Sequence, residues 1–273
     1  MRFGTAGIPH SAKKKTTVDG ILEIRRLGLD ALEVQFVRGI KIGEDYAKVV
    51  GEVADKNGVT LSVHAPYYIN LNSTDKEKLK NSIDRLVKTC KIAKIMNARN
   101  VVFHPAYYGK LSKETTYKNV LNALKIVLDE IDREIILRPE TTGKPSQFGD
   151  LDEVIRLSSE LDNMLPCIDF SHIHARYRAY NSYEEFSEIL ERIEKELGTE
   201  AIKDMHIHLS GIEYTLKGEK RHLNLKESDM RYEELLKALV DYDVNGTVIC
   251  ESPNLEEDAI LLKNTYFKIL KNL

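Results

Sequence analysis

Tryptophan is absent from the 273 residues, and cysteine is confined to Cys90, Cys167 and Cys250. An odd cysteine count with no C-x-x-C pair argues against a disulfide framework and against a zinc ribbon. Cys167 and Cys250 sit inside apolar runs and read as core. No apolar run approaches the ~18–20 residues of a membrane span, and the opening MRFGTAGIPH lacks the apolar stretch of a signal peptide. A cytoplasmic location with no membrane partner is therefore expected. Neither sign of charge dominates: 40 basic residues stand against 43 acidic ones, a net charge of −3. That balance excludes a strongly basic whole-protein footprint for nucleic acid but leaves room for a local basic rim. No Pro/Gly/Ser-rich linker, low-complexity segment or close repeat divides the chain. Hydrophobic residues make up 42% of it, enough for a large core. A single domain over residues 1–273 is expected, with a monomer as the favoured state.

What is present is a rhythm of short apolar runs and amphipathic stretches. The runs are Arg2–Gly4, Ala31–Phe36, Leu61–Val63, Val101–Phe103, Ile135–Leu137, Leu165–Ile168, Met205–Leu209 and Thr247–Cys250. Between them lie helical stretches at Val18–Leu27, Glu44–Asn57, Asp75–Met96, Lys113–Asp132, Leu151–Glu160, Tyr183–Leu197 and Tyr232–Asp241, and Leu255–Leu270 closes the chain. Leu27-Gly28 and Asn57-Gly58 carry helix C-terminal signals. Eight strand–helix units predict an α/β fold, a single (β/α)8 TIM barrel of ~250 residues. An open doubly wound sheet is the structural alternative, but GTAGIPH is not the glycine fingerprint such a sheet carries.

In a barrel the chemistry gathers at the C-terminal ends of the strands. Strand three ends at His64, strand four at His104, strand five at Glu140 and strand six at Asp169 with His172. Strand seven carries His206 and His208, and strand eight ends at Glu251. These side chains bind zinc and related divalent ions. One histidine beside an apolar run is ordinarily a satisfied structural residue. Six consecutive strands delivering such groups to one rim predict a polynuclear metal site, because burying them without a cation is costly. His208 shares a strand face with His206 and lies nearer the rim, so it supports a ligand, binds substrate or is itself a ligand. His10 reads as solvated, and His174 as either a neighbour of the site or exposed. His222, in a polar loop, reads as surface when taken alone.

In combination these residues resemble the endonuclease IV family of metal-dependent apurinic/apyrimidinic endonucleases, which are xylose-isomerase-like TIM barrels. The resemblance rests on HAPYYINL around His64, FHP at His104, PETTG at Glu140, CIDFSHIHARY at Asp169 and His172, MHIH at His206 and CES at Glu251. It implies three zinc ions, or two, with manganese as the other candidate. One ion is held by His64, His104 and Glu140. A second is held by Glu140, Asp169, His206 and Glu251. The third is held by His172 with an Asp-x-His pair from the loop after strand seven. Here Lys220 occupies the aspartate position, so His222 and, from a shifted position, Glu219 are the candidates. The implied reaction is cleavage of the DNA phosphodiester bond 5′ to an abasic site, with damaged double-stranded DNA as partner. Glu140 and Glu251 are the candidate catalytic carboxylates. Tyr67 and Tyr68 are candidates for stacking on an opened base stack, and Arg38, Arg176 and Arg221 for contacts to phosphates. A sugar isomerase or epimerase of the same barrel group is the alternative, with proton transfer through Glu140 and Glu251.

Overall fold

A computed structural model describes Met1–Asn272; Leu273, the last residue of the expected domain, lies outside the described residues. Eight parallel strands form the centre: β1 Arg2–Ala6, β2 Ala31–Gln35, β3 Thr60–His64, β4 Asn100–Phe103, β5 Ile136–Pro139, β6 Cys167–Asp169, β7 Met205–Leu209 and β8 Gly246–Cys250. Their hydrogen-bonded order is β5-β4-β3-β2-β1-β8-β7-β6. Parallel bridges Leu137–Met164 and Glu140–Cys167 join the two ends. The sheet is thus a nearly closed barrel, as expected from the eight repeated units.

Around it run α1 Thr17–Arg26, α2 Glu44–Asn57, α3 Lys76–Ile95, α4 Lys113–Glu130, α5 Leu151–Glu160, α6 Phe170–Tyr177, α7 Tyr183–Leu197, α8 Thr199–Lys203, α9 Tyr232–Asp241 and α10 Glu256–Lys271. Local chemistry sets their ends. Asp150 and Glu153 form a reciprocal capping box that starts α5, and Gly58 takes a left-handed φ of 63° where α2 stops. α6, like the short α8, is an addition to the expected eight helices. It starts directly from β6, with the Asp169 side chain accepting from the His172 backbone N–H at 2.7 Å.

Strand alternation divides the side chains. Leu32, Val34, Val63, Ile168, Ile207 and Leu209 are buried in the apolar layer against the helices. The alternate positions turn into the barrel and are unusually polar. Arg138 is fully buried there; it donates to Asn100 Oδ1 at 2.7 Å and to Asp204 Oδ2 at 2.9 Å, near the strands' N-terminal ends. Glu140, two residues further along the chain, lies at the opposite end. The loop expected after strand seven is instead a hairpin, Gly211–Thr215 with Gly218–Leu223. No helix among the described residues is long and apolar enough to cross a membrane.

Candidate metal centre at the barrel mouth

The strand ends bring the predicted donors together in three groups whose nitrogen and oxygen atoms lie within 4.8 Å of one another. The first holds His64, His104 and Glu140. The second holds Glu140, Asp169, His208 and Glu251. The third holds His172, Glu219 and His222. Glu140, with no solvent exposure, belongs to two of them.

The histidine orientations reveal what the groups accommodate. His64 Nδ1 donates to the Ala65 carbonyl at 2.8 Å, since a carbonyl only accepts. His64 Nε2 is then a bare acceptor, yet it lies 3.1 Å from Glu140 Oε2. His104 Nε2 lies 2.9 Å from the same oxygen. In the third group, His172 Nδ1 donates to Thr141 O at 3.0 Å and His222 Nδ1 to Glu251 O at 3.2 Å. Their Nε2 atoms consequently face each other at 3.3 Å, with Glu219 Oε2 3.6 Å from that of His172. In the second group, Glu140 Oε1, Asp169 Oδ2 and His208 Nδ1 are buried and have no hydrogen-bond partner. Acceptors that face acceptors in a buried site require a cation or a proton between them. The donor set, three or more histidines and carboxylates per group, suits a divalent ion.

The electrostatics say the same. Burial opposes ionisation of Glu140, but His104, His208 and His172 outweigh it and hold its carboxyl well below the usual range. Burial disfavours a charged His172, yet Asp169, Glu140 and Glu219 raise its proton affinity well above normal. His208 is raised against its burial in the same way, by Cys167, Glu33, Glu251 and Glu140, and His64 more mildly, chiefly by Glu140. Asp169 is pushed up by burial and by the charges of Glu251 and Glu140. An excess of buried negative charge thus draws positive charge to the mouth.

Two expectations are corrected. His206 does not join Glu140, Asp169 and Glu251; His208 stands in that position. Both rings point into the barrel, but His206 lies one layer deeper, where its Nε2 meets Glu33 Oε2 at 2.9 Å. The period of two put both on one face, and only the depth of the barrel decided between them. Arg176 is not a rim contact either. It is buried, and its Nη1 donates to Thr142 O, Lys144 O and Gln147 O at 3.2, 2.8 and 3.0 Å. It ties down the loop after β5.

The other predicted residues keep to the surface. Tyr67 and Tyr68 are exposed, and the Tyr67 ring lies 5.3 Å from His64 and 5.4 Å from His104. Arg221 is exposed and donates to Glu213 at 2.6 Å. Arg38 lines a cavity of about 410 Å³ between the loops after β1 and β2, with Lys15 and Lys41. His10 is exposed, whereas His174 is buried, with its ring nitrogens on Ala179 O and Asp229. Sequence reasoning missed Glu33. Its signal was a charge inside the run Ala31–Phe36, at a position that alternation turns inward.

Comparison with known proteins agrees with this architecture. A family model described as a xylose isomerase-like TIM barrel matches residues 21–265. An uncharacterised protein of Methanocaldococcus jannaschii is 53% identical over 270 residues, covering 97% of this chain and 96% of that one. A probable endonuclease 4 of Mycoplasma pneumoniae is 27% identical, covering 79% of this chain and 75% of its own. Among solved structures, endonuclease IV from Thermus thermophilus superposes with a TM-score of 0.76 at 20% identity, covering 100% of both chains. D-psicose 3-epimerase from Clostridium cellulolyticum superposes at 0.71 and 15% identity, covering 99% of each chain. At those identities the structures share the fold alone. From the barrel, the donor groups at its mouth and the family match together, the chain belongs to the xylose isomerase-like TIM barrel family.

Proposed function

We propose that this protein is a metal-dependent apurinic/apyrimidinic endonuclease that cleaves DNA 5′ to abasic sites, with zinc as the resident ion. The observation that carries the reading is the fusion of three donor groups through one mouth, two of them sharing Glu140. In this reading His64 and His104 hold one ion with Glu140. Asp169, His208 and Glu251 hold the second with Glu140, and His172, Glu219 and His222 hold the third. Such a cluster, when bound, supplies an activated water and neutralises charge on the attacking and leaving oxygens of a phosphodiester.

The chain's own residues do the rest. Glu140 and Glu251 orient the groups around the reacting centre and accept protons there. Tyr67, exposed beside His64 and His104, offers an aromatic face at the entrance, and Tyr68 a second one. Arg38 and the hairpin cations Lys217, Lys220 and Arg221 offer charge for phosphates on two sides of the mouth.

The sugar epimerase reading has one observation in its favour, the likeness in fold to D-psicose 3-epimerase. Proton transfer at a sugar carbon would use Glu140 and Glu251 but leaves His172, Glu219 and His222 without a task. The test is a nicking assay on a duplex with one abasic-site analogue, beside an intact duplex and a panel of ketoses. Incision of the damaged strand alone supports the nuclease. Ketose interconversion without incision would sink it.

A further inference from the structure

Glu33 is a fully buried charge that the three donor groups do not use. It sits on β2 and points into the barrel beneath the mouth. Its Oε2 accepts from His206 Nε2 and from Ser62 Oγ, both at 2.9 Å. Its Oε1 accepts from Gln35 Nε2 at 3.1 Å and lies 3.1 Å from His208 Nε2. A carboxylate has no proton to give, so both imidazoles turn an N–H toward it. With Nε2 committed to Glu33, Nδ1 is the nitrogen His208 has left for the mouth. That atom is buried without a hydrogen-bond partner, 3.4 Å from Glu140 Oε1 and 3.5 Å from Glu251 Oε1. An imidazole serves an ion only through an unprotonated nitrogen, and the partner of its other nitrogen decides which one that is.

We propose that Glu33 is the positioning residue of this centre: it holds His208 in the Nε2–H tautomer and presents Nδ1 to Glu140, Asp169 and Glu251. His206, Ser62 and Gln35 act with it. Their three hydrogen bonds fix the carboxylate, so that its remaining acceptor capacity points at His208. This gives His206 a role that its depth denies it at the mouth. The inference rests on the reading of the donor groups as metal ligands, but not on which substrate the centre serves.

A rival occupant of the same layer is an ion deep in the barrel, held by Cys167, His206 and His208, whose donor atoms also lie within 4.8 Å of one another. The Glu33 reading is favoured because the carboxylate already engages the Nε2 atoms of both histidines.

The experiment is zinc retention of the loaded full-length protein against stepped chelator, read by elemental analysis, with the melting midpoint of the chelated protein beside it. Glu33→Ala should release one zinc equivalent at roughly 10- to 100-fold lower chelator concentration, the usual effect of losing a ligand's supporting partner. Glu33→Gln keeps the shape and one acceptor oxygen, and should fall between this variant and the native protein without lowering the metal-free melting midpoint. His208→Ala should lose the same equivalent, and Glu33→Ala added to it should release nothing further. Native chelator resistance in both Glu33 variants would overturn the proposal. So would loss of all equivalents in proportion to thermal stability, or loss of one equivalent in Cys167→Ala, which would place an ion in the deep layer. Because the readout is metal, absence of strand incision refutes the proposed activity and leaves this result standing.

Discussion

Gly143 lies in the loop after β5 and leaves room for the third donor group. A Cβ built on it would meet Glu219 Cβ at 2.6 Å, Glu219 Oε2 at 2.8 Å and His172 Cδ2 at 3.1 Å. The first is 0.8 Å inside the 3.4 Å at which ordinary contact begins. Glu219 cannot simply withdraw its backbone, because its N–H donates to Gly143 O at 2.9 Å. The side chains of Glu219 and His172 must therefore yield, and their donor atoms move by on the order of 1 Å. Overpacking of this kind costs about 1–3 kcal/mol, which a barrel of this size tolerates, whereas a misplacement of about 1 Å near a reacting centre costs about 100-fold in rate. Gly143→Ala should thus fold, lose one zinc equivalent and incise abasic duplex roughly 100-fold more slowly. Zinc stoichiometry and single-turnover incision measure both. Full metal content together with the native rate would refute the reasoning, since the donor group could not then depend on the space that Gly143 leaves.

Three further outcomes follow from the geometry. Arg176→Ala should lower stability by about 1–3 kcal/mol for the hydrogen bonds that the loop carbonyls lose, while the salt dependence of DNA binding keeps its slope, because those carbonyls already engage the guanidinium; a shallower slope with unchanged melting would restore it to the DNA surface. Tyr67→Ala should weaken binding to abasic duplex by ~1–3 kcal/mol if a base stacks there, with zinc content unchanged, as titration and elemental analysis would show. Glu23 is held near a pKa of about 2 by hydrogen bonds from Arg26 and Ser11, against a usual value of 4.5. A carboxyl depressed in the fold stabilises it above the unfolded value and loses that contribution as pH falls from about 4.5 toward 2. Glu23→Gln should therefore melt lower than the native protein at neutral pH, and the gap should close across that window in calorimetry.

Much of this molecule was legible in the sequence because its information is local. Short apolar runs alternating with amphipathic stretches specify eight strand–helix units, and the rule that barrel chemistry gathers at strand C-terminal ends singled out His64, His104, Glu140, Asp169, His172 and Glu251. Asn57-Gly58 marked the end of α2 because only the left-handed conformation there is needed, and glycine supplies it. What local pattern could not supply was depth. A strand repeats every two residues, so His206 and His208 look equivalent until the barrel sets both Nε2 atoms against Glu33 but brings only His208 Nδ1 to Glu140 and Glu251. The role of Glu33 stayed hidden for the same reason, since its histidine partners lie 173 and 175 residues away along the chain. Taken alone His222 read as surface, and only the family resemblance made it a candidate, because its hairpin, paired Gly211–Thr215 with Gly218–Leu223, is held in place by a contact with Gly143 from another strand's loop. Arg176 read as a rim cation because charge alone predicts solvent; α6 turned it inward to the carbonyls of Thr142, Lys144 and Gln147. The sequence by itself determined which donor side chains stand at the strand ends, and only the tertiary structure decided which atoms face one another, because that depends on strand stagger and on loops meeting across the mouth.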